Sequence, residues 1–137
     1  MAIFGLGAYY DTDVSPEFIR AGLVGTGWRE ADAPEIHRFV RTLKVGDIVY
    51  IKSFPPGSAS IFVKGIGIVE DDSVLSGAET EELVQIGRRV RWMSTDTFEI
   101  PRPTERNNVR ANTIYEEFHP VVQRAIMQRL FAGLTPR

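Results

Sequence analysis

Cysteine is absent from the 137-residue chain. That excludes a disulfide framework, a thiolate metal site and a cysteine nucleophile. Histidine is scarce: His37 and His119 stand far apart, and nothing around them has the spacing of zinc ligands. No run approaches the roughly 20 apolar residues that a membrane span needs. The opening MAIFGLGAYYDTD lacks the basic stretch and layout of a signal peptide. The expected location is the cytoplasm, with no membrane partner. Positive charge is not in excess either. The net charge is −2, so no global electrostatic pull toward nucleic acid exists.

What is present is ordinary for a globular chain: 43% hydrophobic and 25% charged residues, which sets aside a disordered or low-complexity reading. The length fits a single domain over residues 1–137 that buries a core without staples. The charge is unevenly placed. Glu70, Asp71, Asp72, Glu79, Glu81 and Glu82 form an acidic stretch that reads as a loop. Arg88, Arg89, Arg91, Arg102, Arg106 and Arg110 follow it. A locally basic face is compatible with an acidic protein, although a solvated surface is the plainer reading for any one arginine.

Apolar patterning predicts a first strand over Ala2–Tyr10 and a short helix capped by Ser15 with Pro16 at its first position and Gly22 as its stop. Asp32 and Glu35 have capping-box spacing before a second helix, whose stripe is Ile36, Phe39, Val40 and Leu43. His37 lies mostly off that stripe. Strands follow at Ile48–Phe54 and Ser60–Val69, paired antiparallel across Pro55-Pro56-Gly57, with Gly65 and Gly67 marking a bend. Further strands are expected at Val84–Met93 and Phe98–Ile100. Thr113 and Glu116 suggest a helical turn before a C-terminal helix with Val121, Val122, Ala125, Ile126 and Leu130 on its apolar face. The class is α+β, with a mostly antiparallel sheet able to curl.

Catalytic motifs fail on context. The glycines of GLG and GIG lie inside strands rather than between a strand and a helix, and there is no P-loop or G-x-S-x-G elbow. Each histidine reads as a surface or capping residue, and no carboxylate pair is singled out for glycosidase chemistry. No cofactor and no metal site are expected.

The aromatic residues say more. Trp28 follows Gly25-Thr26-Gly27, where an indole serves either as core or as the wall of a stacking pocket; its residue type favours core. Trp92 ends a strand whose inward side, by the period of two, is Ile86, Arg88, Val90 and Trp92. Core is again favoured for Trp92. An arginine on that side needs a partner or a cavity, which marks Arg88 above the outward Arg89 and Arg91. Tyr9 and Tyr10 are expected on opposite sides of the first strand. Lys52, Ser53 and Phe54 close a strand before a proline turn, a usual place for pocket polar groups and for plain surface alike.

Four segments in order, FIRAGLVGTGWRE, LKVGDIVYIKSF, FVKGIGIVEDD and GRRVRWM, resemble the EVE/PUA-like superfamily, and among its members the small EVE-like domains of modification-dependent restriction and phage-defence proteins. The resemblance runs from about Ile3 to Met93. It implies a small curved, mostly antiparallel β-barrel with short helices packed at its ends and a C-terminal helix. It also implies recognition of a modified nucleobase in DNA or RNA by an aromatic pocket. Trp28 becomes the leading wall, Tyr10 and Phe54 its companions, and Lys52 and Ser53 the polar contacts, with Arg88 and Trp92 further candidates. The chain is less basic than a committed DNA reader, and its first strand matches the pattern less well than the middle does.

Two other functions stay open. One is a regulatory or defence-linked subunit that binds a free nucleotide-like ligand or a partner protein. The other is a ribonuclease of the ASCH type, which would use Lys52, Tyr50 and Arg88 around one cleft.

Overall fold

The computed structural model describes residues 1–53, 55, 57–101 and 113–134. Its strands are β1 (Ile3–Gly7), β2 (Leu23–Thr26), β3 (Ile48–Ser53), β4 (Ser60–Ser76), β5 (Ile86–Ser94), β6 (Phe98–Pro101) and β7 (Ile114–Glu116), and its α-helices are α1 (Ser15–Ala21), α2 (Pro34–Thr42) and α3 (Pro120–Leu134). One sheet takes the order β2-β5-β4-β3-β1-β7, with β6 paired to the start of β4. Every pairing is antiparallel except β1 with β3. That pair can be parallel because α1, β2 and α2 intervene, a connection long enough to cross over. The α+β class and the antiparallel bias stand. The expected barrel is not closed: among the described strands the ladder is an open path with β2 at one end and β7 at the other.

Local chemistry explains most element ends. Gly22 stops α1 in the left-handed conformation at φ 68°, its N–H bonded back to the carbonyls of Ile19 and Phe18. Neither expected side-chain cap forms. Ser15 belongs to the first turn of α1, where its N–H and Oγ–H both donate to Asp13 Oδ1 at 2.9 and 2.7 Å. Asp32 is held in the turn before α2 by Arg29 at 3.0 Å, and the buried Ala33 occupies the cap position.

The sheet overrides local signals in two places. The acidic run at Glu70–Asp72 lies inside β4, which continues through a bulge between Val69 and Val74 and keeps its pairing to β5. Thr113–Glu116 forms no helical turn. Ile114–Glu116 is a strand on the edge of β1, where Gly5 makes room for Tyr115: a Cβ on Gly5 would stand 2.5 Å from that ring. The bend foreseen at Gly65 and Gly67 is present. Register shifts fall beside both glycines, and a Cβ on Gly67 would meet Val90 at 2.2 Å.

Alternation along β3 divides the core. Val49 and Ile51 face a cluster with Phe4, Leu6, Phe18, Leu23, Leu43 and Val90, on the side of α1 and α2. Ile48 and Tyr50 face a second cluster with Ile61, Ile66 and Tyr115, covered by Val122, Ile126 and Leu130 of α3. On β5, Arg88 points inward and Arg89 and Arg91 outward, as the period of two predicts. No helix among the described residues is long and apolar enough to cross a membrane.

Candidate functional site

A cleft of about 540 Å³ opens where several strands end. Tyr9, Tyr10 and Asp11 follow β1. Thr26, Gly27 and Trp28 close β2, Lys52 comes from the end of β3, and Glu82 from the turn before β5. In the sheet order, β2 and β1 stand four places apart. Their ends line one cavity because the sheet curls, without the ladder closing between them. The volume falls in the range of small-molecule sites, about 300–1,000 Å³.

Trp28 is the largest wall of this cleft and is 54% exposed. Its type favoured core; the structure makes it a pocket wall instead. The glycine-flanked end of β2 carries the indole beyond the sheet, where no core side chain can cover it. Its backbone is fixed on both sides. The Trp28 N–H donates to Thr26 Oγ1 at 3.1 Å, and the Trp28 carbonyl lies 2.6 Å from His37 Nε2.

Tyr10 is the second wall. Its hydroxyl donates to the Leu83 carbonyl at 2.8 Å, and its ring meets Phe18 edge-on at 6.4 Å. A Cβ on Gly27 would lie 3.0 Å from the Tyr10 ring, so the missing side chain lets the ring sit close. Burial pushes the Tyr10 phenol up to about 12, which keeps it neutral and a donor. Tyr9 was expected on the opposite side of the strand from Tyr10. Both lie beyond the end of β1, both are exposed and both line the cleft.

Lys52 supplies the cation. Its Nζ lies 6.0 Å from the centroid of the Tyr115 ring, and burial holds its ammonium below the usual lysine range. Asp11 and Glu82 bring carboxylates to the same cleft, so its charge is mixed.

The structure therefore gathers Trp28, Tyr10 and Lys52. Ser53 lines an adjoining cavity, and Phe54 lies outside the described residues, as do Arg102, Arg106 and Arg110. Arg88 and Trp92 are elsewhere. Arg88 is 2% exposed, and its guanidinium donates to the carbonyls of Ser73, Asp71, Val40, Arg41 and Leu43. Trp92 packs over Gly65 and Gly67 and donates its indole N–H to the Phe18 carbonyl at 3.1 Å. The ribonuclease set does not assemble. Lys52 faces the cleft, while Tyr50 is fully buried with its hydroxyl 2.6 Å from Glu117 and 2.8 Å from Tyr115.

Sequence reasoning missed His37. It is 3% exposed, neither a surface nor a capping residue, and it braces Trp28 from behind. Its offset from the apolar stripe hid this, because the partner is a backbone carbonyl with no sequence signature. His119 does cap: its Nδ1 accepts the Val121 N–H at 3.2 Å. Among the described residues, no three His, Asp or Glu side chains gather as a metal site. No known family model matches the chain, and no curated protein matches it.

Proposed function

We propose that the chain is a binding module, not a catalyst, and that it holds a nucleobase of DNA or RNA, in modified form, against Trp28. The observation that carries the reading is the half-exposed indole of Trp28, its backbone fixed by Thr26 and His37, beside Tyr9 and Tyr10 in one cleft. Stacking of a base on an aromatic ring contributes about 1–3 kcal/mol. Taking the base out of its strand costs a few kcal/mol, less when it is modified or unpaired. The Tyr10 phenol and the carboxylates of Asp11 and Glu82 offer polar contacts to a base edge. The curled, unclosed sheet is compatible with a partly open barrel of the EVE/PUA kind, and a role in phage defence belongs to the same reading. The two histidines support binding over catalysis: one is buried behind Trp28 and the other caps a helix.

One observation favours a second reading. Among the described residues, the cleft sets a single lysine against two carboxylates, so no basic rim surrounds it. That suits a free nucleotide-like ligand, bound by a regulatory subunit that also contacts a partner protein.

The test is a fluorescence-anisotropy titration of oligonucleotides with and without a panel of modified bases, run across a salt series. The native chain is expected to prefer one modification, and Trp28→Ala to bind both forms alike. Discrimination that survives Trp28→Ala sinks the base-pocket reading. Binding of free nucleosides or nucleotides without oligonucleotide binding selects the second reading.

A further inference from the structure

A second cavity, of about 470 Å³, adjoins the cleft and shares Gly7, Tyr9 and Lys52 with it. The two chambers differ in chemistry. The first has Trp28, Tyr10 and the carboxylates of Asp11 and Glu82. The second has Lys52, Lys64 and Ser53, with Asp13 as its carboxylate. Asp13 is already engaged: it accepts from Lys64 Nζ at 2.7 Å and from the hydroxyl and N–H of Ser15. Lys64 and Asp13 offset one another, which leaves the charge of Lys52 as the excess.

We propose that this second chamber is a phosphate subsite, so that the unit bound is a nucleotide with its base at Trp28 and its phosphate at Lys52 and Ser53. The proposal rests on the base-binding reading of the first chamber. Lys52 is half-buried between the chambers, and no described carboxylate lies within ion-pair distance of its Nζ. Taking an ammonium out of water without an anion is costly, and an incoming phosphate offsets that cost. The depressed lysine has burial as its cause, which is the signature of an unmatched cation. Asp11 and Glu82 repel phosphate from the first chamber and so set the orientation. The place also has a topological logic. Gly7 and Lys52 sit side by side at the carboxyl ends of the parallel pair β1 and β3, where both strands stop and leave a crevice.

The chain has three lysines, Lys44, Lys52 and Lys64, so side-chain ¹³Cε signals in labelled protein are readily assigned with Lys52→Arg. Titration with inorganic phosphate is expected to shift the Lys52 signal saturably while the Lys44 signal stays put, in the native chain and in Trp28→Ala alike. A Lys52 signal that does not respond overturns the proposal, whatever the first chamber does.

Calorimetry then compares a nucleoside, its monophosphates and a single-stranded oligonucleotide carrying the same base. The native chain is expected to prefer a monophosphate unit by about tenfold, as a charge-assisted contact allows. Lys52→Gln should remove that preference by lowering monophosphate affinity much more than nucleoside affinity. Equal affinity for nucleoside and monophosphate overturns the phosphate subsite and leaves the base reading standing. A phosphate response at Lys52 without nucleoside binding supports the subsite and rejects the base reading. Tighter binding of the monophosphate than of the oligonucleotide identifies a free nucleotide as the source; the reverse order identifies a strand.

Discussion

His37 Nε2 lies 2.6 Å from the carbonyl oxygen of Trp28, and this contact ties the second helix to the wall of the cleft. A carbonyl only accepts, so Nε2 carries the proton. Nδ1 has no hydrogen-bond partner and stands 3.8 Å from Glu30 Oε2. His37→Phe keeps the ring volume and removes the donor. It is expected to cost about 1–3 kcal/mol of stability, the penalty of an unsatisfied carbonyl. It should also shift Trp28 emission, read in a Trp92→Phe background. Unchanged emission would show that the histidine does not position the indole.

The two tryptophans should separate stability from binding. Trp28 projects into the cleft, so Trp28→Ala should change stability by less than about 1 kcal/mol. Trp92 fills the space above two glycines and satisfies the Phe18 carbonyl. Trp92→Ala should cost about 3 kcal/mol, the low end for a packed aromatic ring. Urea denaturation of both variants checks the contrast. Equal losses would place both indoles in the same structural role.

Arg88 is a fastener between elements. It gathers carbonyls from the end of α2 and the residue after it, at Val40, Arg41 and Leu43, and from the bulged part of β4 at Asp71 and Ser73. A guanidinium reaches these directions at once, and an ammonium does not. Arg88→Lys is therefore expected to destabilise the fold by about 3 kcal/mol despite the conserved charge. A melting temperature within one degree of the native value would refute this.

Tyr50 predicts an alkaline limit. Burial, the neighbouring Tyr115 and Glu117, and hydrogen bonds to both push its phenol far above the ordinary value of 10.0. The folded-state pKa is raised, so the stabilisation is fully present below about pH 10 and is lost as pH rises from there toward the folded value. Chemical denaturation between pH 8 and about 11 should show stability falling at the top of the range. Tyr50→Phe should flatten that fall, although the variant is less stable at neutral pH because Glu117 loses a donor. An alkaline fall of unchanged slope in Tyr50→Phe would assign it to other tyrosines.

Legibility in the sequence followed the range of the interaction. Gly22, the Phe39, Val40 and Leu43 part of the predicted stripe and the inward turn of Arg88 are short-range signals, and the fold keeps each of them. Residues whose fate depends on a distant strand were misread. Ile114–Glu116 becomes a strand because Gly5 clears space for Tyr115, and Glu70–Asp72 stays in a strand because β5 pairs beyond the bulge. The cleft is longer in range still. Trp28, Tyr10 and Lys52 meet through the curl of the sheet, which no local spacing encodes, and Asp11 and Glu82 carried no sign of joining them.

The position of β1 has a consequence for synthesis. Ile3–Gly7 is an interior strand, flanked by β3 on one side and β7 on the other. When it emerges from the ribosome, neither neighbour exists yet. One partner arrives with Ile48–Lys52, the other only with Ile114–Glu116. Such distant pairing slows folding and leaves apolar strand edges unprotected meanwhile. β1 is thus fully paired only after most of the residues that follow it have been made, and Phe4 and Leu6 await cover in the meantime.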